Sequence, residues 1–117
     1  MSEGRKDDEG KPQLSLISPI ATFRTGRVMT DGVTRYSAHN WRKGFKWCRI
    51  ADAAKRHLEM WIAGMDNDPD SGRSNLDHAA ACLMMLQEFD ETKIGEDDRY
   101  KLPLDVLLKL YPPKKEK

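Results

Sequence analysis

One segment constrains this chain more than any other. From Leu76 to Leu86 it reads LDHAAACLMML, and Leu76, Ala79, Ala80, Ala81, Cys82, Leu83, Met84, Met85 and Leu86 leave almost no polar face. A helix with one apolar stripe needs one neighbour, whereas a helix apolar nearly all round has to be covered on more than one side. Ser74 can start it, with Asp77 three residues on in capping-box spacing, and the pattern runs to about Phe89. A chain of 117 residues has few other helices to cover it, which predicts a homo-oligomer, a dimer or higher, that completes the bundle.

The remaining elements are helical as well. Pro19 can open a helix to about Met29 through Ile20, Phe23, Val28 and Met29, although Thr22, Thr25 and Gly26 lower its propensity. The stretch from Asp31 to Lys46 reads mostly as loop, with room for a short helix at Val33–Tyr36. Trp47 to Ala63 is a strong amphipathic helix: Ile50, Ala54, His57, Leu58 and Trp61 share one side, and Asp52, Arg56 and Glu59 the other. Gly64–Arg73 is a linker, and a last short helix at Leu104–Tyr111 stops at Pro112-Pro113. No alternating strand pattern competes, so the expected fold is all-α. The expected organisation is a disordered tail at 1–12, one helical domain at 13–111 and a charged tail at 112–117.

The net charge of +1 conceals a strong segregation. Residues 21–58 hold nine basic and two acidic side chains, while residues 59–98 hold two basic and eleven acidic ones. A basic stretch can hold phosphates and an acidic one a divalent metal; alternatively the two attract each other as solvated helix faces. No run approaches the ~18 apolar residues of a membrane helix. The charged start MSEGRKDDEGK does not read as a secretory leader. Cys48 and Cys82 lie within helical patterns at no metal-ligand spacing, as expected of buried thiols in a reducing cytoplasm.

Four constellations could carry chemistry. The run Tyr36 to Gly44 sets His39, Asn40, Trp41, Arg42 and Lys43 side by side. Two cations, an amide and an aromatic plane can serve a nucleotide, or Trp41 can plug the core while Arg42 and Lys43 stay solvated. On the long helix, Asp52 and Arg56 sit at ion-pair spacing and His57 lies among apolar neighbours. Asn75 and His78 stand one turn apart on the apolar helix, with Cys82 a turn further on, where an imidazole can meet a metal or donate to a carbonyl. Asp66, Asp68 and Asp70 imitate a calcium loop, but Pro69 and Ser71 break its pattern, and Asp66 with Asp68 is at most an open carboxylate pair. No Gly-rich phosphate loop, nucleophile elbow, zinc spacing or HExxH is present.

Taken in order, KPQLSLI, Tyr36 with HNWRKG, DAAKRHLEMWIAG, DNDPDSG and NLDHAAACLMML resemble the dATP/dGTP diphosphohydrolase N-terminal-domain family of phages and bacteria, itself akin to MazG-type all-α pyrophosphohydrolases. The resemblance covers about residues 11–90. It implies a small MazG-like helical bundle that splits purine deoxynucleoside triphosphates into monophosphate and pyrophosphate with a divalent metal, Mg²⁺ in the first place and Mn²⁺ or another transition ion in the second. It further implies His39, Asn40, Trp41, Arg42, Lys43 and Arg56 as substrate-binding residues, Asp52, His57 and His78 as catalytic ones, and Asp52, Asp66 and His78 as metal ligands. The chain departs from MazG enzymes in having no ExxE or ExxD pair, and Asn75 stands where the family more often has His.

Three function classes follow from these readings. The first is a metal-dependent purine dNTP diphosphohydrolase acting on the nucleotide pool, in the host bacterial cytoplasm if phage-encoded. The second is a non-catalytic phage protein that binds or sequesters a nucleotide. A nucleic-acid-binding helical protein is third, disfavoured by the acid that flanks its basic clusters.

Overall fold

The structure, a computed structural model, describes residues 3–115. Four helices make up the fold: α1 (Pro19–Arg35), α2 (Trp47–Ile62), α3 (Asn75–Thr92) and α4 (Leu104–Leu110). Short 3-10 turns at Leu14–Leu16 and Asn40–Lys43 precede α1 and α2. No strand occurs among the described residues; there are two isolated bridges, Lys46 with Glu96 and Asn67 with Ser74. The all-α expectation holds. The expected tails fall partly on residues 1, 2, 116 and 117, which lie outside the described residues.

Helix α3 is the centre, packed along α2 on one side and α1 on the other. Its small residues make this double contact feasible: Ala79, Ala81 and Cys82 are buried, and short side chains let neighbouring helices approach closely. Trp47 and Ala54 of α2 and Phe89 near the end of α3 complete the core. Leu83, on the same helix, is 55% exposed, so α3 keeps one apolar strip open.

Both ends of α3 are fixed chemically. The Ser74 side chain accepts from the Leu76 N–H at 3.1 Å, which caps the start. The other half of the expected capping box does not form, because the buried Asp77 carboxylate accepts from Arg24 Nε of α1 at 2.8 Å instead. At the far end Lys93 adopts a left-handed conformation (φ 61°), and its N–H closes on the Phe89 carbonyl at 2.7 Å.

Helix α1 runs six residues past the expected end at Met29 and absorbs the short helix foreseen at Val33–Tyr36. The Ser18 side chain caps its start, accepting from Ala21 N–H at 3.2 Å. Its threonine hydroxyls donate back to carbonyls of the preceding turn, Thr30 to Gly26 and Thr34 to Asp31. Two ion pairs to residues distant in the same chain then hold the helix against its low propensity: Arg24 with Asp77, and Asp31 with Arg73. The segment after it is loop through Ala38–His39, as expected, and then turns into the 3-10 helix.

The chain after α3 is latched onto the start of α2. Trp47 donates its main-chain N–H to the Glu96 carbonyl and its indole N–H to the Ile94 carbonyl, both at 2.9 Å. Gly44 and Gly95 have positive φ and lie so close that a Cβ on Gly44 would sit 2.9 Å from the Gly95 backbone, and one on Gly95 would strike the Phe45 carbonyl. Only glycine fits this crossing.

Candidate functional site

The two histidines that the sequence set on separate helices meet in space. The rings of His57 (α2) and His78 (α3) stack with centroids 4.5 Å apart and planes 11° from parallel. The fully buried Asn75 orients the first of them. Its Nδ2 donates to the Met65 carbonyl at 2.8 Å, which turns Oδ1 toward His57 Nδ1, also at 2.8 Å. An amide oxygen only accepts, so His57 donates from Nδ1, and in the neutral ring the lone pair is then on Nε2.

His78 is held from the linker. Ser71 Oγ, which accepts from the Arg73 N–H at 3.1 Å, lies 2.7 Å from His78 Nε2. Asp68 in turn accepts from the Ser71 N–H at 2.9 Å. Burial, reinforced by the adjacent His57, pushes the His78 pKa below its ordinary value. Burial would raise the Asp68 carboxyl, yet the Ser71 hydrogen bonds outweigh it and hold Asp68 below the usual range.

Two cavities meet at His78. One, of about 340 Å³, is apolar and lies between α1, the 3-10 turn, α2 and α3; its walls include Val33, Tyr36, Asn40, Trp41, Phe45, Ile50 and Met85. The other, of about 500 Å³, is polar and more open, walled by Asp31, Thr34 and Arg35 of α1 and by Asp70, Ser71, Gly72 and Arg73 of the linker. Val28, Gly32, Tyr36 and His78 line both. Gly32 forms part of this shared wall with nothing within 4 Å of where a Cβ would stand. The arrangement can take an elongated ligand that is flat and apolar at one end and polar or anionic at the other.

The other expected site residues are distributed as follows. Asn40 and Trp41 line the apolar cavity, with the Trp41 ring 5.9 Å from Phe89. Arg42 stacks over Trp41 at 4.4 Å, bonds Glu88 through Nε at 2.8 Å and Nη2 at 3.1 Å, and touches His39 Nδ1. His39 and Lys43 are exposed. Asp52 and Arg56 stand on the outer face of α2 beside Lys55, Glu59 and Met60. Asp66 takes part through its main-chain carbonyl, which accepts from the Asn75 N–H at 2.8 Å. The structure thus gathers His57, His78, Asn40 and Trp41 around one region and leaves Asp52, Arg56 and Lys43 away from it. Among the described residues no three His, Cys, Asp or Glu side chains gather as a metal-binding group. Cys82 lines the apolar cavity, and burial pushes its thiol pKa up, so it stays protonated and inert.

Arg35 and Gly32 were missed by reading the sequence. Val28, Gly32 and Arg35 share a helical face at spacings of four and three. That signal becomes visible only when α1 is continued through Arg35.

The sequence family described as dATP/dGTP diphosphohydrolase, N-terminal, matches residues 1–99. The chain belongs to this dATP/dGTP diphosphohydrolase N-terminal family. A relative described as a dATP/dGTP diphosphohydrolase, from Salmonella phage PMBT28, is 38% identical over 96 residues. That alignment takes in 82% of this chain but 33% of the relative, so this family member spans about a third of the length of the phage protein. No solved structure matches it. The family region ends just before α4, and both cavities and the histidine stack fall inside it. No helix among the described residues is long and apolar enough to cross a membrane.

Proposed function

We propose that this chain binds a purine deoxynucleoside triphosphate and hydrolyses it between the α and β phosphates, releasing the monophosphate and pyrophosphate. One observation carries the reading: the apolar cavity and the polar basin meet at His78, so a single nucleotide would fill both. The base would lie among Tyr36, Trp41 and Phe45, where apolar surface and aromatic rings reward a flat bicyclic ring. The phosphates would lie in the basin against Arg35 and the Ser71–Arg73 turn. Arg35 would supply the charge there, since Arg73 is already paired with Asp31 at 2.8 Å. His57 would accept the proton of the attacking water at Nε2, the nitrogen that its bond to Asn75 leaves basic.

A divalent ion, Mg²⁺ before Mn²⁺, enters this proposal as the companion of the triphosphate, whose charge it would neutralise. A homo-oligomer with a MazG-like arrangement is part of the same reading, supported by the open apolar strip on α3. A phage role in the host nucleotide pool is supported by the Salmonella phage relative. The deciding experiment incubates the chain with dGTP, dATP, dCTP and dTTP under a panel of divalent ions and measures pyrophosphate. Release from the two purine nucleotides is expected; no release with any ion would reject hydrolysis.

A second reading, nucleotide binding or sequestration without turnover, is favoured by one observation, the lack of a three-donor metal group among the described residues. Its signature is purine nucleotide binding that survives EDTA while no product forms.

A further inference from the structure

Among the residues that line the apolar cavity, one bears a side-chain amide, Asn40. The residue is half-buried at the start of the 3-10 turn; its main-chain N–H is committed to the Ser37 carbonyl at 3.1 Å, but among the described residues its side-chain amide has no hydrogen-bond partner. An amide presents one donor and one acceptor side by side, and turning its terminal bond by half a revolution exchanges them. Adenine offers the pattern donor (6-amino) then acceptor (N1), and guanine the reverse, acceptor (O6) then donor (N1–H).

We propose that Asn40 reads the six-membered edge of the base and, by flipping its unrestrained amide, accepts adenine and guanine in one and the same pose. This rests on the proposed placement of the base in the apolar cavity and adds to it the residue that sets base tolerance. The geometry favours a reader that flips, because neither end of the amide is pinned. Asn75, by contrast, is locked by Met65 and His57 and can present only one face. The other polar residues of the lining are Tyr36, Ser37, Trp41 and His78, and none of their side chains sets a donor and an acceptor side by side as an amide does. Tolerance of the two purine edges therefore falls to the one side chain whose adjacent donor and acceptor can be exchanged.

The test replaces the amide with its isostere that cannot reverse. In Asn40→Asp the carboxylate only accepts: it can take both N1–H and the 2-amino group of guanine, but it faces the N1 lone pair of adenine. Calorimetric titration of wild-type and variant protein with non-hydrolysable dGTP and dATP analogues reads the ratio of the two dissociation constants. The expected result is comparable affinity for both in the wild type and a shift toward guanine of about tenfold or more in Asn40→Asp, the size of one good bidentate contact. A variant that binds both with an unchanged ratio overturns the role of Asn40 and leaves the proposed nucleotide site standing. Wild-type protein that binds neither analogue overturns both. A second measurement on wild-type protein stands independently of the variant's folding: a triphosphate of unsubstituted purine, which lacks the 6-substituent, should bind more weakly than dATP, and equal affinity counts against an edge reader.

Discussion

At the scale of single residues, Asn75 is the most informative position. It is fully buried, and its amide and N–H are both engaged: the amide bridges Met65 to His57, and the N–H meets the Asp66 carbonyl. The sequence shows the residue but not its role, since the partner His57 lies eighteen positions away on another helix. The stacked His78 gives a pH signature. Its native pKa lies below the ordinary 6.5 because burial, and then the neighbouring His57 ring, oppose protonation. Between those two values the unfolded chain binds more protons than the native one, so stability is full above about pH 6.5 and declines as pH falls toward the native value. Urea midpoints measured at about pH 7.5 and about pH 5 should therefore fall on acidification, and His78→Gln should reduce the drop.

At the scale of elements, α1 decides how the site is built. Its second half was hard to read because Thr30, Gly32 and Thr34 weaken helix propensity, and the interactions that rescue it, Asp31 with Arg73 and Arg24 with Asp77, span 42 and 53 residues. Helices α2 and α3 are legible within a few residues, α2 from its amphipathic periodicity and α3 from its apolar run and the local Ser74 cap. The final turn of α3, to Thr92, was not, since it is held by the Thr92 hydroxyl bond to Glu88 and by the left-handed Lys93. The opposite charges of the two stretches were also legible, and part of their purpose is now plain: Arg24–Asp77 and Arg42–Glu88 join the basic stretch to the acidic one. A glycine at 32 costs helix stability, and it lines both cavity and basin with empty space where a side chain would stand. Gly32→Ala should accordingly stabilise the fold by about 0.5–1 kcal/mol in denaturant melts while weakening purine nucleotide binding, a combination no purely structural glycine would give.

At the scale of the whole molecule, the chain is extended for its length. Its radius of gyration is 18.3 Å, where a compact domain of 100 residues measures about 13 Å. Large apolar side chains remain uncovered on several elements, including Ile20 and Phe23 of α1, Ile62 of α2, Leu83 of α3 and Leu104 and Leu110 of α4. So much exposed apolar surface is unusual for an isolated chain. We expect sedimentation equilibrium to return a multiple of the 13.4 kDa chain mass. A clean monomer at all concentrations would assign these surfaces to some other partner.

The cavity beside His78 has a practical consequence. It is cut from the same packing that joins α1 to α3, so an occupant would act as a missing piece of the protein's interior. Whatever seats there should tie together helices that otherwise share few contacts, and the chain becomes a sensor of its own occupancy. A ligand present at a hundred times its dissociation constant adds about 2.7 kcal/mol to the folded state. A melting-temperature survey over nucleotides, run without any assumption about chemistry, would then sort true tenants from bystanders by heat alone.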